Sequence, residues 1–528
     1  MLLGVVCVLA CASLAPAVSA SVLYIPLDER FTTRMAFLNL ARLTPYAIDT
    51  PPVALLPSLR VPAPLDQLDA WVAAHQADTD AALVSAEILL YGSLIASRCS
   101  NDSTAVVLDR LDKLLTLKRE DSTLLLATTI MRIPSYDTDF EDPWYWGEWG
   151  RDLYLYSYYT DEYNVTGNAT CAQLAKAAEA QVPPAIVEQF LWRRARNHNV
   201  TVALLQKLAT NAALKDVLVF VTLDDNAKYG FNIAEGRQLK DMIARLGLKD
   251  RVLVYDGADE IGLTMLSRLS TMRSASPVTF HVSYRNMSTI GLVPNFEGSP
   301  MVETLVSQAT AAGVRLVNVT DGTNATLLIN NFSVFPQVEA PAQTTTGRSV
   351  SDCAHGVGFV VACAASPQRP VGFLDNRFSN GADLVFIDYI RGLAASCGLN
   401  ISHFCYAGWN TDGNTIGTSV ANLALLTLFG DNSASRNANT YFNVLRLVED
   451  AKWQADLRQS LVAYIGQPVA NDTVYTLNND LEFYERYAFK VLSADTAAWA
   501  QLYSLDTVLL ESYYPWNRTF EIGLVATR

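Results

Sequence analysis

Two adjacent carboxylates, Asp224 and Asp225, close the apolar run 218–223 in the stretch LVFVTLDDNAKYG. Like charges side by side at the end of a buried strand oppose each other's ionisation, and such an arrangement marks a candidate functional site. The pattern recurs. Asp28, Glu29 and Arg30 follow the run 22–27, Glu87, Tyr91 and Arg98 follow 82–86, and Arg132 and Tyr136 follow 124–130. Asn226 extends the Asp pair, and Asp256, Asp259 and Glu260 follow 252–255. Asp375, Asn376 and Arg377 follow 371–374, and Trp409 and Asn410 lie at the end of 404–409.

The chemistry this set offers is carboxylate acid–base chemistry on a polar substrate. The chain has 5 histidines and lacks a Walker loop, a GxSxG elbow and an HExxH helix. Gly356-Val-Gly358 lacks the third glycine of a dinucleotide fingerprint. No cofactor and no resident metal are therefore expected. Asp224 and Asp225 are read as the catalytic pair and the other strand-end residues as substrate-binding. Asp259, Asp383 and Asn414 each precede a helical run, where a short polar side chain serves equally as a cap. Arg30 and Arg377 could serve to neutralise neighbouring acids. A second signal is aromatic: EDPWYWGEWGRDLYLYSYYTDEY, residues 141–163, reads as a polar loop after the third strand. Its rings, Trp146 among them, are suited to stacking on sugar C–H faces, or else to packing the loop on the body.

Strands buried on both faces are needed to hold these residues. The runs 22–27, 82–86, 124–130, 218–223, 252–255, 278–284, 327–329, 371–374 and 404–409 are continuously apolar rather than alternating, as in parallel sheets covered by helices. Helical spacing fills the intervals at 65–75, 104–118, 187–208, 234–246, 300–312, 381–394 and 415–429. About eight such units predict a (β/α)8-like barrel, with a doubly wound open sheet as the alternative. An extra strand near 314–318 does not fit an eightfold count. In either fold the carboxyl ends of the strands share one rim, where such folds place their active sites. Beyond Gly430 the pattern turns mainly helical, giving an expected division into 1–20, 21–430 and 431–528.

Residues 1–20, uncharged and ending in Ala-Val-Ser-Ala, read as a secretory signal peptide, and no later segment is long and apolar enough to span a bilayer. Glycosylation sequons at Asn101, Asn164, Asn168, Asn199, Asn286, Asn318, Asn324, Asn331, Asn400, Asn471 and Asn517 agree with export. Cys99, Cys171, Cys353, Cys363, Cys397 and Cys405 remain after the leader, an even set whose short loops 353–363 and 397–405 are the natural disulfide candidates. The net charge of −14 argues against nucleic acid or an anionic membrane as partner.

The blocks IPLDER, EILLYGSLIASR, LDDNAKYG, GADEIG and YAGWNTDGNTIGT span nearly the whole mature chain and resemble, in order, those of a domain-of-unknown-function family of bacteria and fungi. That resemblance reinforces the strand-end residues and implies no reaction. The Asp224-Asp225 pair is also similar to the catalytic pair of O-GlcNAcase-like hexosaminidases, which implies that one acid orients the substrate acetamido group while the other is general acid/base. Together these readings lead to the expectation of a secreted glycoside hydrolase acting on a carbohydrate or glycoconjugate. A non-catalytic carbohydrate-binding or cell-wall protein and a metal-assisted hydrolase are the alternatives.

Overall fold

The computed structural model describes residues 20–318, 322–333, 336–346, 348, 369–397, 401–467 and 472–527. Eleven of its strands form two separate, wholly parallel sheets. The first contains β1 (Ser21–Ile25), β2 (Ala47–Asp49), β3 (Ala81–Ser85), β4 (Thr123–Ile130), β5 (Leu218–Leu223) and β6 (Val252–Asp256), in the order β2-β1-β3-β4-β5-β6. The second contains β7 (Val278–Tyr284), β8 (Val314–Val317), β9 (Ala325–Asn331), β10 (Val371–Asn376) and β11 (Phe404–Ala407), in the order β11-β10-β9-β7-β8. Counted from its own first strand, the first sheet runs 2-1-3-4-5-6 and the second 2-1-3-4-5, the order type of a doubly wound open sheet, in which the winding reverses between strands 1 and 3.

The pairing gives a mixed α/β fold with two parallel sheets, and the closed barrel expected above is not seen among the described residues. No bridge joins the outer strands β2 and β6, or β8 and β11, among the described residues. Barrel and open-sheet strands carry the same two-sided apolar pattern, so pattern alone could not separate them. The extra strand at 314–318 belongs to the second sheet as β8, and the short, half-exposed β2 carried too little apolar signal to be seen.

The two-sided burial is explicit along β1. Val22 and Tyr24 face a core shared by both sheets, whereas Leu23 and Ile25 face the outer layer of the first. The shared core is filled by the helices Ile261–Arg273, Met301–Ala312 and Asp412–Phe429. Residues 412–426 of the last are all buried, as the sequence of a helix enclosed on every side requires. Leu65–His75, Thr104–Leu115, Pro184–Thr210 and Phe231–Arg245 cover the outer face of the first sheet. The outer face of the second carries Leu384–Cys397, Ser433–Leu447, Leu481–Leu502 and a hairpin of β12 (Leu509–Tyr513) with β13 (Gly523–Ala526). The C-terminal region thus shares a core with the second sheet.

Two local expectations are corrected. The aromatic stretch is a long helix, Trp146–Thr166, rather than a loop. Cys405 is a free, buried thiol, as are Cys99 (half-buried) and Cys171, so the 397–405 bridge is not formed. The 353–363 pair lies outside the described residues. Among the described residues no helix is long and apolar enough to cross a membrane.

Candidate functional site

Parallel strands deliver their ends to one edge, and at the first sheet's carboxyl edge β5 ends in the Asp pair. Asp224 and Asp225 keep 16% and 26% of their side chains exposed, more than the arginines that hold them. Arg98 Nη2 donates to Asp224 Oδ2 at 2.5 Å. Arg98 comes from the short helix Leu94–Cys99, which Ser93 caps by accepting the Ala96 N–H at 2.8 Å. Arg132, just beyond β4, donates from Nη1 to Asp225 Oδ2 at 2.7 Å. Asp142 accepts the other face of Arg132 at 2.7 Å, while Glu141 sits 3.3 Å from Arg132 and 3.5 Å from Arg98. Each catalytic candidate therefore has its own guanidinium, and both guanidinium groups are cross-tied.

Asp225 adopts φ +35°, a conformation that costs a residue with a Cβ about 1–3 kcal/mol and recurs where function over-determines the backbone. The Asn226 N–H to Phe296 carbonyl bond of 2.7 Å holds the turn. Burial, and then the neighbouring Asp224 charge, push the Asp225 pKa up against the pull of Arg132 and Arg98.

The C-terminal region completes the network. Arg30 pairs with Asp28 at 2.8 Å, Asp259 at 2.6 Å and Glu521 at 3.5 Å. Arg518 bonds Glu521 at 3.0 Å and reaches Glu141 on its other side. Trp516 lies against both guanidinium groups, 4.5 Å from Arg30 and 4.6 Å from Arg518, and its Nε1 donates to Glu29 Oε1 at 2.8 Å. Asp28, Glu141, Asp142, Asp224, Asp225, Asp259 and Glu521 are thus seven carboxylates sharing four arginines. A buried set with surplus negative charge holds protons. Burial raises Asp259 to about 7 despite Arg30, and burial followed by Asp28 raises Glu29 to about 7.

A second group of strand-end residues stitches the two sheets together. Asn226 donates to Asp256 Oδ1 at 3.1 Å, and Gln308 donates to Glu260 Oε1 at 2.7 Å. From the second sheet, Asn376 and Gln337 donate to Asp412 at 2.8 and 2.9 Å, and Asn380 N–H donates to the Asn410 carbonyl at 2.8 Å. Trp409 is buried, its carbonyl accepting from Thr415 Oγ1 at 2.7 Å. Thr411 caps the helix that follows, and Asn414, a cap candidate by sequence, instead accepts the Asp259 N–H at 3.0 Å. Gly413 allows this helix to touch β6: a Cβ there would sit 2.7 Å from the Asp256 carbonyl oxygen. Burial raises Glu260 and Asp412 each to about 7.

Asp375 and Arg377 fall into a third group, beyond β10. Asp375 accepts from Asn330 at 2.8 Å, from the Asp383 N–H at 2.8 Å and from Tyr406 at 3.1 Å. Arg377 lies 3.4 Å from Asp383, which caps its helix through the Val385 N–H at 3.1 Å.

Three expected site residues are placed in the interior instead. Glu87 is buried against β4, Tyr91 lies under Arg196 at 4.9 Å, and Trp146 packs on Phe190 with ring centroids 5.8 Å apart. Trp146, 2% exposed, offers no face to a sugar. Conversely, Glu141, Asp142, Trp516, Arg518 and Glu521 join the network without having been singled out by sequence. Glu521 sits as a charged residue inside the apolar run FEIGL, and Glu141 and Asp142 open the aromatic stretch 141–163. Among the described residues no group of three His, Cys, Asp or Glu side chains is arranged to hold a metal ion.

Fold and site together define a mixed α/β protein in which two parallel sheets present an acid–arginine network at a carboxyl edge. Residues 22–525 match the family described as a protein of unknown function (DUF4127), and the chain belongs to that family. No curated protein and no solved structure matches it, hexosaminidases included.

Proposed function

We propose that this protein is a secreted glycoside hydrolase in which Asp225 is the proton donor and Asp224 its charged partner. The observation that carries the reading is the unequal setting of two adjacent acids. Asp224 takes a 2.5 Å charge-assisted bond from a buried guanidinium, while Asp225 is the more exposed and has its pKa raised by burial and by Asp224. A carboxyl whose pKa is raised holds its proton more readily, and a held proton is what a general acid needs to protonate a glycosidic oxygen.

Adjacent residues cannot readily flank a sugar from opposite faces at the separations that two-carboxylate mechanisms use. Their contiguity favours substrate-assisted cleavage of an N-acetylhexosaminide, with Asp224 orienting the acetamido group. The apolar leader and the exposure of sequon residues Asn101, Asn164, Asn168, Asn199, Asn318, Asn324 and Asn517 agree with export. Asn331 is buried in β9 and is no glycan acceptor. Non-catalytic carbohydrate binding is the second reading, favoured by the fact that each acid of the pair already has its own arginine.

Turnover of aryl N-acetylhexosaminides and of glycan mixtures by the wild type, Asp224→Asn and Asp225→Asn tests the assignment. Loss of activity in both folded variants is expected, with activity of Asp225→Asn retained best on substrates whose leaving group needs no protonation. Full activity in both variants would falsify the hydrolase assignment. Glycan binding without any product would favour the second reading.

A further inference from the structure

Helix Trp146–Thr166 carries two aromatic faces. Trp146 and Tyr156 pack on Phe190 and Phe231, in the body of the protein. Tyr154 and Tyr158, one turn apart, lie on another side with their ring centroids 5.8 Å apart, and Tyr229 meets Tyr158 edge to face at 5.5 Å. These three rings are half-buried. Among the described residues no hydrogen bond engages the hydroxyls of Tyr154 and Tyr158. Packing alone accounts for the first face. It leaves the second with rings and hydroxyls turned partly to water.

That second face adjoins the candidate site. Tyr229 belongs to the loop 224–230 that leads from the Asp pair into the helix Phe231–Arg245, and four residues of chain carry it no more than about 14 Å from Asp225. The loop is fastened to the aromatic helix. Buried Asp161 accepts the Gly230 N–H at 2.9 Å, and buried Ser157 accepts the Phe231 N–H at 2.7 Å. Asp161 also pairs with Arg237. Ser157 and Asp161 bracket Tyr158, so this part of the helix is fixed relative to the loop. Toward the start of the helix, Tyr136 is 41% exposed, and its phenol lies within reach of the Arg132 and Asp225 charges. Its carbonyl oxygen faces Gly150, where a Cβ would come within 2.6 Å of it. Half-exposed aromatic surface therefore extends from beside the Asp pair along the helix.

We propose that Tyr158 and Tyr229, with Tyr154 beside them, form a stacking platform for sugar units beyond the one held at Asp224 and Asp225. The substrate is then an oligosaccharide or a longer glycan. This rests on the hydrolase reading and names the substrate class of that site. A flat ring takes the apolar C–H face of a pyranose, and the tyrosine hydroxyls are left to bond its edge. Lys228 Nζ lies 5.1 Å from the Tyr229 ring centroid, and Glu162 follows Tyr158 by one turn. The rim thus carries both signs of charge and suits a neutral, hydroxyl-rich ligand.

The test is titration calorimetry of the full chain carrying Asp225→Asn, in which turnover is suppressed, with the monomer, dimer, tetramer and hexamer of N-acetylglucosamine. Affinity should rise with chain length. Tyr158→Ala and Tyr229→Ala, each added to that variant, should weaken hexamer binding by about fivefold or more, whereas Tyr158→Phe and Tyr229→Phe keep the ring and should retain most of it. If the Ala variants do not fold, the wild type gives the answer: the hexamer should protect Tyr158 and Tyr229 from nitration by tetranitromethane, read by mass spectrometry. Equal affinity at every length, unchanged hexamer affinity in the folded Ala variants, or no protection would overturn the platform while leaving Asp224 and Asp225 as the catalytic pair. Full turnover in both Asp224→Asn and Asp225→Asn removes the hydrolase reading instead, and nitration protection then decides the platform alone. No binding of any oligomer would overturn the proposal and give this face to a different partner.

Discussion

Glu87 provides a direct measure of how strongly the interior beneath the site opposes charge. Its Oε1 accepts from Thr128 Oγ1 at 2.8 Å and from Thr129 N–H at 2.6 Å, while Oε2 is buried without a partner. Burial raises its pKa from 4.5 to about 7, and the hydrogen bonds from Thr129 and Thr128 pull the other way without prevailing. The folded state therefore holds a proton that the unfolded state has released between those values, so stability is lost as pH rises through that window. Integrating the two titrations between pH 5 and pH 8 gives a loss of about 2.5 kcal/mol from this single group. Glu87→Gln keeps the shape and both accepted bonds but cannot ionise. It should match the wild type to within about 1 kcal/mol at pH 5 and exceed it by about 2–3 kcal/mol at pH 8. Urea unfolding at both pH values measures the difference, with the slope in denaturant checking that the same transition is compared. A gap between variant and wild type that does not change with pH would refute the reasoning. It would mean that Glu87 ionises in the folded protein as easily as in water.

The other consequences of the network are tested separately. Arg518→Met leaves Glu521 and Glu141 short of a guanidinium in the interior and should cost about 3–5 kcal/mol, read as a lowered thermal midpoint. Arg132→Met removes the main attraction on ionised Asp225, so any hydrolytic activity should keep its proton donor to higher pH. An alkaline limb of kcat/KM that moved down instead would exclude Asp225 as the acid. Gly413→Ala forces a Cβ against the Asp256 backbone and should destabilise by about 1–3 kcal/mol in chemical unfolding, whereas an unaltered midpoint would show the junction to be loose.

Much of this protein is legible along the chain, because burial on one or both faces leaves a local record. The helix Leu65–His75 ends where its pattern ends, and β5 and β7 keep the limits read from their apolar runs. The Asp pair was visible for the same reason, since charge ending an apolar run needs no partner to be noticed. The aromatic stretch 141–163 misled because rings and charges are mixed within it, although its rings at helical spacing pack on Phe190 and Phe231.

What the tertiary structure decided depends on pairings between distant residues. Whether β6 continues into one barrel or starts no further pairing is settled by hydrogen bonds across sheets, and both outcomes need the same two-sided strands. Arg30 meets Glu521 across 491 positions and Glu141 meets Arg518 across 377, distances over which no local periodicity operates. Residue type and spacing thus determined that acids would gather at strand ends. Only folding decided which arginine each acid received, and with it which carboxyl keeps its proton, because a pKa is set by the burial and charges that the packed chain brings around it.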